Sequence, residues 1–434
     1  SDAGYIGTRL TDDHPISFTY DAALATKNRK LHRPSTLAAQ LPLDPQGQLQ
    51  CTTCHDPHNG SRGHFLRMSN LNSRMCTRCH DHRGWAASAH ATASASVTGA
   101  ARDNWGNVPY RTVSELGCEG CHRPHNARGR ERLMRHEVEE DNCFSCHDGS
   151  VAAKNIMSEF GKRWAHPVGK STGVHNPAED PRTMQDHVEC SDCHNPHQVA
   201  GSGRNASAPF IGPAMKGVSG LSSSGVPIAE ATRQYEVCYK CHAKRNPVRE
   251  PLVDRHVRNN NIADKFSLSS VSFHPVEGYA QGTSVPSLLE PLKHTSIIYC
   301  TDCHGSNSAR VKGPHGSTYR PLLVRNYSIA NPTSTRESPQ AYALCYGCHN
   351  RRSILRNAGF KEHKKHLDKK ISCSACHDPH GVQSTTHLIN FDREVVFASK
   401  TAGKGPIFED RGFRRGSCTL LCHGEDHDDQ DYRP

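Results

Sequence analysis

Nowhere does this 434-residue chain approach the run of about 18 apolar residues that a membrane-spanning helix requires. Hydrophobic residues make up only 35% and aromatic residues 6%, against an apolar share of about 45–50%, glycine included, in ordinary globular domains. A chain this long has room for two or three domains. With so little apolar surface, side chains alone would struggle to offset the entropy of ordering it. Six methionines are too few to form a recurring ligand set, and few segments sustain a helical period among 34 glycines and 26 prolines. An unassisted hydrophobic core is therefore excluded, and something other than side chains must fill the interior.

Cysteine is abundant, and every copy is committed. The runs CTTCH at Cys51, CTRCH at Cys76, CEGCH at Cys118, CFSCH at Cys143 and CSDCH at Cys190 are followed by CYKCH at Cys238, CTDCH at Cys300, CYGCH at Cys345, CSACH at Cys373 and CTLLCH at Cys418. These use all 20 cysteines: Cys51, Cys54, Cys76, Cys79, Cys118, Cys121, Cys143, Cys146, Cys190, Cys193, Cys238, Cys241, Cys300, Cys303, Cys345, Cys348, Cys373, Cys376, Cys418 and Cys422. Paired cysteines also build zinc sites, and even cysteine counts suit disulfides. Neither use requires a histidine directly after the second cysteine ten times over. C-x-x-C-H is the attachment signature of c-type haem: two thioethers hold the porphyrin, and the adjacent histidine reaches the iron. The reading is ten haem c groups with proximal ligands His55, His80, His122, His147, His194, His242, His304, His349, His377 and His423. The gap of Cys418–Cys422 is one residue longer than the rest, so the tenth haem competes with a terminal disulfide.

Ten porphyrins supply the missing apolar core, at about 43 residues each. The expected fold is mostly irregular coil with short α-helices around a continuous chain of ten haems, and little β structure. The formal charge of +10 is then offset by haem propionates. The basic runs 128–135 and 361–370 are read as haem-edge and solvent contacts, with no nucleic-acid partner.

The motifs pair into five units, expected over residues 1–100, 101–160, 161–262, 263–356 and 357–434. Each unit opens with a motif followed by Pro-His, giving His58, His125, His197 and His380; the fourth unit delays its copy to His315. A second histidine recurs in His14-Pro15-Ile16, His166-Pro167-Val168 and His274-Pro275-Val276, with His32, His90, His363 and His366 as further candidates. A Pro-His cannot cross the macrocycle to its own haem's far face. It can reach a neighbouring iron, most simply the partner in its unit. Bis-His ligation throughout follows from the surplus of histidine, and it favours lower potentials than Met/His ligation. The choices His14 or His32, His166 or His187, His274 or His294, and His363 or His366 stay open. The Gly/Ser-rich stretch Gly201–Ser224 reads as an exposed loop and the tail Glu425–Asp431 as solvated acid. Asn205 heads a glycosylation sequon by pattern alone.

This layout resembles the doubled-CxxCH family of multihaem cytochromes c, most closely around Cys190 (HVECSDCHNPH) and from Cys345 to His380. The resemblance implies haem attachment, bis-His ligation and electron transfer. It extends to extracellular cytochrome filaments, which implies copies of the chain as partners beside other redox cytochromes or extracellular acceptors. His14, surplus by unit bookkeeping, is the expected ligand to a haem of the adjacent copy. Catalysis is not expected: multihaem reductases of nitrite, hydroxylamine or sulfur oxyanions keep an open iron, often marked by Lys in place of the proximal His, and all ten motifs end in His. Haem c is attached outside the cytoplasmic membrane, and Ser1-Asp2-Ala3-Gly4 reads as a processed terminus. An exported, extracellular or cell-surface protein is expected, with the periplasm as the alternative.

Overall fold

The computed structural model describes residues 6–433 apart from 38, 98–109, 130, 170–174, 186, 202–205, 244–250, 280–284 and 330–335. Ser1–Gly4 and Asn205 of the sequon lie outside the described residues. Regular structure is sparse, with 24% helix and 15% strand. No helix among the described residues is long and apolar enough to cross a membrane.

Nine of the ten motifs fold as single helical turns or end a short helix. Helical turns cover Cys51–Cys54, Cys76–Arg78, Gly117–Gly120, Cys190–Cys193, Cys300–Cys303, Cys345–Gly347 and Cys373–Ala375, and the longer helices Glu139–His147 and Gln234–His242 end on theirs. The reason is spacing. At 3.6 residues per turn, cysteines three apart and the following histidine share one side of the helix. The backbone N–H of His55, His122, His194 and His377 donates to the carbonyl of the first cysteine at 2.9–3.0 Å, which closes the turn.

The tenth motif is different. Gly416–Cys422 is a β-strand, paired antiparallel with Ile407–Asp410, Glu425–Tyr432 and Val396–Phe397, and a bulge falls between Cys418 and Leu420. The acidic tail read as solvated is therefore an ordered strand. At the end of the sheet its acids stay largely exposed on both faces while its backbone pairs with the neighbouring strand. The Gly201–Ser224 reading is corrected likewise: Val218 and Leu221 are buried, and Leu221 packs with Tyr235 and Tyr239 of the Gln234–His242 helix.

Elsewhere β structure consists of two-residue ladders that act as clamps. Trp164–Ala165 pairs with Gly316–Ser317, and Ser272–Phe273 with Gly381–Val382. The first sets His166 beside His315 and the second sets His274 beside His380. Both glycines follow a Pro-His, and both are needed for close approach. A Cβ on Gly316 would meet the Glu159 carbonyl at 1.7 Å, and one on Gly381 the Lys265 carbonyl at 2.0 Å. Apolar packing is divided among small clusters, the largest around Tyr235, Tyr239 and Phe266 and around Ile371, Phe391 and Val396.

Candidate haem sites

Each of the ten motif histidines faces a second imidazole at nearly constant distance. Ring centroids are 6.0 Å apart for His55 and His125, 6.1 Å for His80 and His14, 6.1 Å for His122 and His197, and 6.3 Å for His147 and His90. They are 6.1 Å apart for His194 and His315, 6.4 Å for His242 and His166, and 6.0 Å for His304 and His380. The last three are His349 with His274 at 6.3 Å, His377 with His363 at 6.4 Å and His423 with His366 at 6.4 Å. We number these sites 1 to 10 in motif order. Direct stacking would bring rings closer. Two metal–imidazole bonds of about 2 Å each, plus the reach from each nitrogen to its ring centre, place centroids about 6 Å apart. The pairs thus fit an iron held between them.

The orientation of the rings fits as well. Nδ1 of His55, His122, His194 and His377 lies 2.8 Å from the carbonyls of His64, Arg132, Ala214 and His387. A proton on Nδ1 donated to each carbonyl leaves the Nε2 lone pair for a metal. On the opposing rings, Nδ1 of His90, His166 and His274 meets the carbonyls of Pro196, Pro314 and Pro379 at 2.9, 2.6 and 2.5 Å. Those prolines directly precede His197, His315 and His380. Each Pro-His therefore does two things: the histidine faces one site, and the proline carbonyl orients the ligand of the next. At sites 1 and 2 the backbone N–H of His14 donates to Pro124 at 2.8 Å, and buried Asp13 accepts from His125 Nδ1 at 2.9 Å. Burial, reinforced by neighbouring histidines, pushes His197 and His363 down to about 3 and His315 and His349 to about 4. These rings stay neutral, with lone pairs available, at ordinary pH.

Adjacent sites follow one another along the chain. Cys76 and Cys118 are within hydrogen-bonding reach, as are Cys143 and Cys190, Cys238 and Cys300, and Cys345 and Cys373. These contacts join sites 2–3, 4–5, 6–7 and 8–9. Within units the second cysteines are near enough to feel each other electrostatically, Cys54 with Cys79, Cys121 with Cys146, Cys193 with Cys241 and Cys303 with Cys348, and Cys376 lies near Cys418 and Cys422.

Comparison with known proteins agrees with this chemistry. The family model "Doubled CXXCH motif" matches residues 44–84 and 111–152, and "Cytochrome c554 and c-prime" matches 299–378. The chain is 24% identical over 215 residues to a protein named multiheme cytochrome MtrA from Shewanella baltica, covering 47% of this chain and 45% of that protein. The chain is a multihaem c-type cytochrome. The match spans less than half the length of that relative, and no solved structure is significantly similar.

Several sequence assignments change once the cytochrome is folded. Pro-His does not serve its own unit: His125, His197, His315 and His380 face the opening site of the preceding unit. His14 faces His80 of its own chain, which corrects its assignment to an adjacent copy. His58 and His32 face no proximal ring among the described residues. His58 is exposed, and His32 Nδ1 lies 4.0 Å from an Asp81 carboxylate. Of the remaining alternatives, His166 and His274 take the positions; His294 is exposed and His187 belongs to a separate cluster. His363 and His366 are not alternatives, because the helix His363–Asp368 directs one to site 9 and the other to site 10.

Sequence reasoning missed the groups behind the ligands. A carboxylate such as Asp13 or Asp378 gives no periodic signal. Asp378 is 2% exposed, pairs with Lys265 at 2.8 Å and accepts the His380 backbone N–H at 3.2 Å. Burial alone would raise its carboxyl, but hydrogen bonding to His380 and the Lys265 charge hold it well below the usual carboxylate range. Asp378→Ala strands the Lys265 ammonium. A stability loss of about 3–5 kcal/mol is expected, measured by denaturant unfolding of the holoprotein.

Cys422 carries the other surprise. It is 5% exposed within the Phe391, Val395 and Leu420 cluster. Four residues of strand span about 13 Å, against about 5 Å for a helical turn. The sheet must close up at its bulge before both sulfurs can bond one porphyrin.

Proposed function

We propose that this cytochrome conducts electrons over long range through ten covalently bound bis-His haems arranged in chain order. The carrying observation is the set of ten facing histidine pairs, with cysteine contacts linking one unit to the next at sites 2–3, 4–5, 6–7 and 8–9. Bound haem supplies a one-electron iron centre. Two imidazoles would hold each iron; the chain orients these rings through carbonyls and the Asp13 carboxylate, and ties neighbouring sites together with rigid Pro-His links. With a histidine placed to hold each face of every iron, no iron would be left open to bind a substrate, and the role is electron transfer rather than catalysis. Its place is outside the cytoplasmic membrane, in the periplasm or at the cell surface, with other redox proteins as partners.

Cutting the string in the middle tests this. Replacing Cys190 and Cys193 by alanine removes haem 5, and conductance through films of the purified protein is expected to collapse while nine haems remain. Unchanged conductance would rule out conduction along the string. Turnover of nitrite, hydroxylamine or sulfite by the reduced wild type would overturn the non-enzymatic reading.

A polymeric filament suits the same geometry, with a monomeric carrier as the alternative. Cys51 is exposed, unlike every other cysteine, and nearby Phe65 is 53% exposed. Site 1 thus opens to the surface, where the last site of a neighbouring copy or a redox partner can approach. Electron microscopy of concentrated protein decides between filament and monomer.

A further inference from the structure

Away from the ten sites, two histidines and a group of carboxylates converge in the segment leading into site 5. His175 Nδ1, His187 Nε2 and one carboxylate oxygen each from Glu179 and Asp192 all lie within 4.8 Å of one another. His187 Nε2 is 3.2 Å from Glu179 and 3.9 Å from Asp192. His175 Nδ1 is 3.2 Å from Glu189, and 3.7 Å from both Glu179 and Asp192. A tetrahedral zinc ion with bonds of about 2.0–2.1 Å holds its ligands about 3.3 Å apart. The separations of 3.2–3.9 Å lie close to that spacing, and shifts of a few tenths of an ångström would bring the ligands onto one ion.

Three features distinguish it from a chance gathering of acids. First, Asp192 is 4% exposed. Its Oδ2 accepts the Glu189 backbone N–H at 2.8 Å, while its Oδ1 is buried, makes no hydrogen bond and lies 3.7 Å from His175 Nδ1 and 3.9 Å from the Lys240 ammonium. Second, His187 Nδ1 lies 2.7 Å from the Gln185 carbonyl. That bond fixes the ring so that Nε2 faces the Glu179 carboxylate at 3.2 Å, a gap that either a proton or a metal ion can fill. Third, the surrounding groups are built in. Buried Glu139 accepts the backbone N–H groups of His175 at 3.1 Å and Ser191 at 2.8 Å, and Lys240 Nζ donates to the Asp192 carbonyl at 2.6 Å. Such second-layer bonds are what orient metal ligands.

We propose that His175, Glu179, His187 and Asp192 bind one divalent transition ion of the zinc class, separate from the haem irons. Two imidazoles with carboxylates and no thiolate suit such an ion. Asp192 lies inside the Cys190–Cys193 attachment turn, and the other three ligands come from the segment after His166. The ion ties that segment to the site 5 turn, closing a loop between the His166 ligand of site 6 and the site 5 cysteines.

The test uses the haem-loaded protein, stripped with EDTA, offered Zn²⁺ and freed of excess by gel filtration, with metals counted by mass spectrometry. Wild type is expected to retain one zinc per chain. His187→Ala and Glu179→Gln, which leave the attachment turn untouched, are expected to fall to background with unchanged haem spectra. His294→Ala, at an exposed histidine outside the cluster, is expected to keep the full equivalent. X-ray absorption at the zinc edge should show imidazole and oxygen ligands and no sulfur. Failure of wild type to retain zinc would overturn the proposal and leave a proton on His187 as the compensating charge. Equal retention by His187→Ala and Glu179→Gln would also overturn it.

Discussion

Alanine in place of His197 is expected to turn one haem iron in ten high-spin, and the same holds singly for His125, His315 and His380. Each of these rings stands opposite a proximal histidine from the preceding unit, so its loss opens the sixth position of that iron. His58→Ala and His32→Ala are expected to leave every haem low-spin. The contrast is sharp because His58 and His197 share the same Pro-His turn. The backbone N–H of His58 bonds Asp56 at 3.1 Å, and that of His197 bonds Asn195 at 3.0 Å. Magnetic circular dichroism or electron paramagnetic resonance of the oxidised variants measures the outcome. A high-spin signal from His58→Ala, or none from His197→Ala, would dismantle the ligand scheme. Methionine at His197 is expected instead to keep that iron low-spin and raise its potential, the direction set by Met/His ligation.

Intact mass of the wild type is expected to equal the polypeptide plus ten haems. In Cys418→Ser with Cys422→Ser it is expected to fall to nine. The tenth motif makes this informative, since its cysteines lie on a strand and Cys422 packs in an apolar cluster. Deleting Leu421 restores the common two-residue gap and is expected to keep ten haems. A wild-type mass of nine would mean that the strand and its bulge do not close around a porphyrin. His366 and His423 would then face each other without an iron.

How much of this was legible from residues alone differs by feature. Twenty cysteines and ten proximal histidines are local signals, because one helical turn contains the whole attachment unit. The ten facing histidines were all among the candidates, since Pro-His and His-Pro dipeptides stand out in a chain poor in other patterns. Their partners were not legible. His315 faces His194, 121 residues away, through a two-residue ladder that carries no sequence signature. The C-terminal sheet was missed because Glu425–Tyr432 is an acidic strand whose pairing, rather than its composition, makes it ordered. The His175 and His187 cluster escaped for the same reason as Asp13 and Asp378: carboxylates gathered from separate turns have no spacing rule.

The sequence by itself determined the cofactor chemistry, the number of attachment motifs and the pool of histidines from which ligands are drawn. These depend on bonds within five or six consecutive residues, where covalent geometry and one helical turn leave little freedom. Only the tertiary structure decided which histidine faces which, that ligands cross from one unit to the preceding one, and that His14 stays within its own chain. Those choices depend on how separate segments pack. Close approach at Gly316 and Gly381, buried carboxylates and proline carbonyls settle that packing, and none of them is a property of any one segment.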